Sequence, residues 1–205
     1  MLSLVKRLLG HERLYIALQR GVGADGLRYR CLKDINPGDA VLDIGCGPAY
    51  YLDCLPEVRY VGFDTSPRYI AHARKRWGHR GEFRCEVLTR EHVATLPRFD
   101  KVLLFGLLHQ LSDEDATELL GVAAAALADD GVAISVDPTF EPTQGWISRW
   151  MSANDRGRYV RTPERYVELA AAHFGRVEGE IVDDVTRIPS SHWLMRMSHP
   201  HPAAG

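Results

Sequence analysis

The stretch Val41-Leu42-Asp43-Ile44-Gly45-Cys46-Gly47-Pro48-Ala49 holds residues of the types and spacing that could do chemistry. An apolar run enters a G-x-G turn. Glycines at a strand-to-helix turn let the backbone approach a ligand closely and adopt conformations closed to other residues. A second element is Val61-Gly62-Phe63-Asp64. An acid on the order of 20 residues after such a loop can accept hydrogen bonds from a ribose diol. Loop and acid together describe a site for an adenosine-containing ligand. A dinucleotide fingerprint would add Gly or Ala at position 50, where this chain has Tyr50. Asp43, two residues before the first glycine, would repel a pyrophosphate and suits a cationic ligand. S-adenosylmethionine has a sulfonium and an ammonium and no phosphate, so it fits better than NAD.

These residues need a scaffold. Between residues 40 and 137, short apolar runs alternate with helical patterns: AVLDI, RYVGF, EFRCEV, KVLLF and VAISV. Runs apolar on both faces are expected of central strands in a parallel sheet covered by helices. Ser66-Pro67 opens one helix as N-cap and first residue, carrying Tyr69, Ile70 and Ala73 inward. Ser112-Asp113-Glu114-Asp115 opens another, expected to run through LLGVAAAALA and stop near Asp130-Gly131. The pattern specifies an α/β fold, a doubly wound, mostly parallel sheet with right-handed crossovers. One domain over residues 1–205 is expected. Residues 1–36 form a helical N-terminal cap and 37–137 a cofactor-binding core. Residues 138–205 supply a lid insert, a helix from Thr162-Pro163-Glu164 through Phe174, and closing strands RVEGEIV and SHWLMRM.

Composition narrows the partners. Hydrophobic residues make up 45% and charged residues 25%, as in a globular protein. The net charge of −2 offers no broad attraction for nucleic acid. The first 30 residues are locally basic, with six Lys or Arg against Glu12 and Asp25, which reads as a docking face or a solvated helix surface. No apolar run approaches the roughly 20 residues that cross a bilayer, and no unbroken signal-peptide core is present. Cys31, Cys46, Cys54 and Cys85 form no C-x-x-C pair and have no His at finger-like spacing, so no metal site is expected. These features point to a cytoplasmic protein.

VLDIGCG followed by VGFDTS resembles motif I and the acid after strand two of the class I S-adenosylmethionine-dependent methyltransferases. FDKVLLFGLLHQLSD resembles their fourth strand and its loop, and Gly131 before VAISVD the turn into their fifth strand. The similarity covers about residues 38–137. It implies a seven-stranded sheet, with Asp43, Gly45 and Gly47 holding the methionine end and Cys46 filling the loop between. Asp64 takes the ribose hydroxyls, Thr65 lies beside the adenine, and Leu107 or a neighbour packs on the ligand. Many relatives carry an acid just after strand three. Here that region reads Cys85-Glu86-Val87-Leu88, with Val87 best aligned, so adenine contacts fall to Glu86, Val87, Leu88 or their backbone. The plain alternatives are a tight turn for the glycines and a helix cap for Asp64, a role Ser66 fills better.

Methyl transfer requires an aligned acceptor, exclusion of water and in some cases removal of a proton. His109 after strand four, Asp137 ending strand five and His192 opening the last strand are the catalytic candidates. Each has a structural alternative: loop hydrogen bonding, capping the Pro138 turn, or strand packing. The insert at 139–161 carries Trp146, Trp150, Met151 and Tyr159 with Arg149, Arg156, Arg158 and Arg161. Apolar walls with a few anchors suit a small-molecule acceptor, and the arginines suit an anionic one. An amphipathic cover with solvated arginines is the alternative. A nucleic-acid amino-methyltransferase would carry an N/D-P-P-Y/F motif after strand four, where this chain has Phe105-Gly106-Leu107-Leu108. A peptide acceptor, a non-catalytic S-adenosylmethionine-binding protein and, third, an NAD oxidoreductase complete the alternatives. Oligomeric state is left open.

Overall fold

Alternation within each strand divides the hydrophobic residues between two faces of one sheet. The structure is a computed structural model and describes residues 25–140, 158–183 and 191–201. In β1 (Ala40–Ile44), Ala40, Leu42 and Ile44 enter one core and Val41 the other. In β4 (Phe99–Phe105), Val102 and Leu104 enter the first and Leu103 the second. With β2 (Arg59–Phe63), β3 (Gly81–Arg84), β5 (Leu127–Pro138), β6 (Phe174–Val182) and β7 (His192–Pro200), the sheet has seven strands in the order β3-β2-β1-β4-β5-β7-β6. β7 runs antiparallel to both neighbours, and the pairings among β1 to β5 are parallel. This is the doubly wound arrangement that the alternating pattern implies.

The helices are α1 (Asp25–Leu32), α2 (Pro67–Trp77), α3 (Arg90–Thr95), α4 (Asp113–Ala126) and α5 (Pro163–Ala171). Ser66 caps α2, its Oγ accepting from the Tyr69 amide at 3.4 Å, and Pro67 occupies the first turn. Ser112 caps α4 by accepting from the Asp115 amide at 3.1 Å. Two helices are shorter than the sequence suggests. α4 stops at Ala126 rather than near Gly131, because Leu127 already pairs with Phe99 and a bulge separates that pair from Lys101 and Val132. α5 stops at Ala171, because Phe174 is drawn into the sheet opposite Pro200.

After β3 the chain crosses from one side of β1 to β4 on the other. At such a switch point the carboxyl ends of the two central strands face a crevice. The loops that border it, 45–49 and 106–111, follow β1 and β4. Of the N-terminal cap, α1 and the following turn are described; residues 1–24 lie outside. Residues 141–157, with Gly145, Trp146, Arg149, Trp150, Met151, Arg156 and Gly157, also lie outside the described residues, as does the 184–190 segment.

Candidate active site

Three residues of the first loop have left-handed backbone: Gly45 (φ 74°), Gly47 (φ 55°) and Ala49 (φ 55°). Gly45 is required twice over, because a Cβ there would also lie 3.3 Å from the Leu107 methyls. Leu107 therefore closes against the glycine loop from the β4 side. At Gly47 an added Cβ would meet nothing within 4 Å, so the loop opens to space there.

Asp43 is buried at 2% exposure, and its Oδ2 accepts from the Tyr60 hydroxyl at 2.5 Å. Burial pushes the Asp43 carboxyl up to about 7, the Tyr60 hydrogen bond pulls it down, and the neighbouring Asp64 raises it. Burial and the Asp43 charge in turn raise the Tyr60 phenol well above its ordinary value, so it remains the donor. Asp64 binds the loop directly: Oδ2 accepts from the Gly47 amide at 2.9 Å and Oδ1 from the Ser66 amide at 2.7 Å. This carboxylate ties the turn after β1 to the turn after β2. Cys46 is buried beneath, and burial pushes its thiol far up, so it stays neutral.

On the outer side of β2, the Asp64 amide donates to the Arg84 carbonyl, and Cys85 Sγ lies 4.0 Å from the Thr65 carbonyl oxygen. The turn after β3 thus lies against the turn after β2. There Thr65 is exposed, Val87 is 63% exposed, and Glu86 pairs with His92 at 3.5 Å. Leu88 is buried in the core with Ile44 and Phe63.

Across the crevice, the short turn Leu108–Gln110 presents His109, whose ring is buried. Its Nδ1 lies 2.8 Å from Asp137 Oδ1, and its main-chain amide donates to the same oxygen at 3.1 Å. A carboxylate oxygen accepts, so Nδ1 is the donor in this contact, and in the neutral imidazole that leaves the lone pair on Nε2. Asp137 is 1% exposed, and its Oδ2 has no hydrogen-bond partner among the described residues. His192 opens β7 opposite Pro138, one position from the Asp137–Trp193 pair. The structure brings His109 and Asp137 together and puts His192 one register position from Asp137 on the neighbouring strand.

Arg161 requires a correction. The sequence suggests positive charge facing an acceptor, but the side chain is buried and four of its five N–H donors are engaged within the protein. Nε binds Asp113 at 2.8 Å, Nη1 the Leu108 and Tyr159 carbonyls at 2.8 and 2.9 Å, and Nη2 the Leu111 carbonyl at 2.7 Å. The Tyr159 amide donates to the His109 carbonyl at 3.0 Å. Arg161 therefore clamps the turn that carries His109 from both sides. Arg158 is exposed. Tyr60, Arg161 and Asp113 are site-building residues that motif reading misses. For Tyr60 the usable signal was a polar tip on an otherwise apolar strand.

Residues 42–133 match the family model described as a methyltransferase domain. Among solved structures, the chain is similar to the pyocyanin biosynthetic protein PhzM, at 21% identity and a TM-score of 0.69, over 96% of this chain and 61% of that one. It is similar to an O-methyltransferase family 2 protein from Planctomyces limnophilus in complex with apigenin, at 18% identity and a TM-score of 0.64, over 91% and 61%. It is also similar to the [4+2]-cyclase SpnF, at 16% identity and a TM-score of 0.60, over 84% and 79%. The chain spans less than two thirds of the length of the first two. No curated protein matches it.

The sheet order is that of a doubly wound, Rossmann-like α/β fold, and residues 42–133 are similar to a methyltransferase domain. Such a domain implies use of S-adenosylmethionine, and the cradle suits that ligand. Its two acids, Asp43 and Asp64, are bonded to a phenol and to main-chain amides, and no Lys or Arg pairs with either among the described residues. Their charge is therefore available to a cationic ligand. Among the described residues no His, Cys, Asp or Glu cluster could hold a metal ion, and no helix is long and apolar enough to cross a membrane.

Proposed function

We propose that the protein transfers a methyl group from S-adenosylmethionine to an O–H or N–H group of a small-molecule acceptor, rather than to nucleic acid or a lipid surface. The observation that carries this reading is the 2.8 Å contact between His109 Nδ1 and Asp137 Oδ1. It lies two residues beyond Leu107, which touches the glycine loop. A cytoplasmic location accompanies the reading, supported by four free cysteines.

When bound, S-adenosylmethionine supplies a methyl carbon activated by its sulfonium leaving group. Asp64 accepts from the ribose hydroxyls while holding the Gly47 amide. Leu107 walls off water between the two loops. His109 Nε2 takes the proton that the acceptor heteroatom loses as it bonds to the methyl carbon. Asp137 keeps the imidazole in the required tautomer and steadies its charge once protonated, as the acid of a catalytic triad does. Of the insert's four arginines, Arg158 and Arg161 are among the described residues, and with Arg161 engaged in the clamp an anionic preference rests on Arg158 of that pair.

Two measurements test the reading. Calorimetry on the purified protein should show S-adenosylhomocysteine binding without added metal; tighter binding of NAD would overturn the cofactor assignment. With a panel of phenol and amine acceptors, His109→Ala should slow methyl transfer by about a hundredfold or more and leave S-adenosylhomocysteine affinity unchanged. Equal turnover in the variant would remove the general base.

A further inference from the structure

Tyr60 is a strand residue whose hydroxyl has a purpose beyond packing. Its ring lies along β2 toward the carboxyl end, in a lane kept clear by two glycines. A Cβ on Gly62 would lie 3.1 Å from Tyr60 Cε1, and one on Gly81 would lie 2.8 Å from Cδ1. Phe83 stands 5.7 Å away, ring to ring. A phenylalanine would fill this lane equally well. The hydroxyl is buried with the rest of the side chain, and its partner is Asp43 Oδ2 at 2.5 Å. Asp43 stands two residues before Gly45, where the chain turns toward the crevice.

We infer that Tyr60 is a positioning residue for the cofactor: its hydroxyl keeps Asp43 anionic, so that a carboxylate rather than a carboxylic acid faces the ammonium at the methionine end of the ligand. The inference rests on the cofactor reading above. Its physical basis is a competition. Burial favours the neutral acid, with Asp64 adding like charge from the turn after β2 and the neutral Cys46 thiol packing from the loop after β1. Among the described residues, the Tyr60 hydroxyl is the group bonded to Asp43 that favours the charged form. The balance lies at about 7, where a single hydrogen bond changes the population of carboxylate.

The test compares two probes in the full chain. S-adenosylhomocysteine carries the ammonium; 5′-methylthioadenosine carries the same adenosine and a thioether without the amino-acid end. Tyr60→Phe should weaken S-adenosylhomocysteine about tenfold at pH 7 and leave methylthioadenosine binding unchanged, which also shows that the variant folds. Below pH 7 the wild-type preference for S-adenosylhomocysteine over methylthioadenosine should fall as Asp43 takes up a proton. In Tyr60→Phe that decline should begin at higher pH, and the variant-to-wild-type ratio at each pH cancels the ligand's own titration. In Asp43→Asn, the added Tyr60→Phe change should cost S-adenosylhomocysteine binding nothing further. Equal weakening of both probes, or none, would overturn the role of Tyr60. Failure of the wild type to bind either probe would overturn the cofactor reading itself.

Discussion

The two sides of the crevice each bury an aspartate at the carboxyl end of a strand, and they use it differently. On the β1 side, Asp43 is bonded to a phenol. On the β5 side, Asp137 is bonded to an imidazole and a main-chain amide. The first arrangement adjusts the charge on the acid itself. The second, on the proposed reading, uses the acid to fix a base. The supports also differ. The glycine loop is held by Asp64 through two amides, one 17 residues away and the other two. The His109 turn is held by Arg161, which reaches Asp113, Leu108 and Leu111 from about 50 residues along the chain. The difference teaches that the cofactor side is assembled locally, whereas the acceptor side depends on the chain returning after residue 157 to lock its turn.

The sharpest way to break this comparison is to remove the clamp. Arg161→Met puts an apolar side chain in the same space and takes the guanidinium from three carbonyl oxygens, of which, among the described residues, Leu108 O alone keeps a second donor, the Leu111 amide. Removing one partner from a buried charged network costs roughly 3–5 kcal/mol, and urea denaturation should show a loss of that order. Arg165 binds the same Asp113 carboxylate at 2.5 Å, and the two arginines together hold that acid below its usual range. Arg165 is about half exposed, so water replaces it readily. Arg165→Ala should leave the denaturation midpoint nearly unchanged. Equal losses in the two variants would mean that the buried carbonyl contacts contribute little.

The second prediction uses the other aspartate. The folded-state pKa of Asp43, at about 7, lies above its ordinary 3.8. Stability from the protonated form is fully present below about 4 and is lost as pH rises through 7. Asp43→Asn stays neutral throughout and can still accept from Tyr60. Between pH 5 and pH 8 its stability should therefore gain on the wild type by about 2–3 kcal/mol, while S-adenosylhomocysteine affinity falls. A pH-independent difference between the two proteins would mean that Asp43 is ionised at no such cost.

The contrast also marks what the sequence could reveal. β1 and β2 match their apolar runs residue for residue, because both are central and flanked by turn residues. The G-x-G loop and Asp64 are legible for the same reason: each is a short contiguous signal with a backbone cause. His109 and Asp137 could be proposed as neighbours only because both follow central strands. Arg161 could not be read correctly, since an arginine in a polar stretch has the same appearance whether solvated or buried. Only the fold shows that three carbonyls meet it. The ends of α4 and α5 were overrun because helix-forming alanines and apolar residues continue past Ala126 and Ala171, where sheet pairing at Leu127 and Phe174 takes over. Tyr60 was legible as a strand residue but not as a donor, because its acceptor lies on a neighbouring strand.

The smallest expected effect separates bracing from ligand contact on the cofactor side. Asp64 accepts from the Gly47 and Ser66 amides, and on the proposed reading it also accepts from the ribose. Asp64→Ala removes a charged acceptor worth roughly 1.5–3 kcal/mol, so affinity for S-adenosylhomocysteine should fall about ten- to a hundredfold. The same change frees the Gly47 amide, and the loop loses its tie to β2. Stability should therefore drop as well, in contrast to Asp43→Asn. Methylthioadenosine keeps the ribose and should lose as much affinity as S-adenosylhomocysteine, whereas Tyr60→Phe spares it. 2′-Deoxy and 3′-deoxy analogues of methylthioadenosine complete the test. If Asp64 contacts the diol, the wild type should discriminate against them and Asp64→Ala should not. If the variant is less stable but discriminates as the wild type does, Asp64 is a brace for the glycine loop only, and the ribose is held elsewhere.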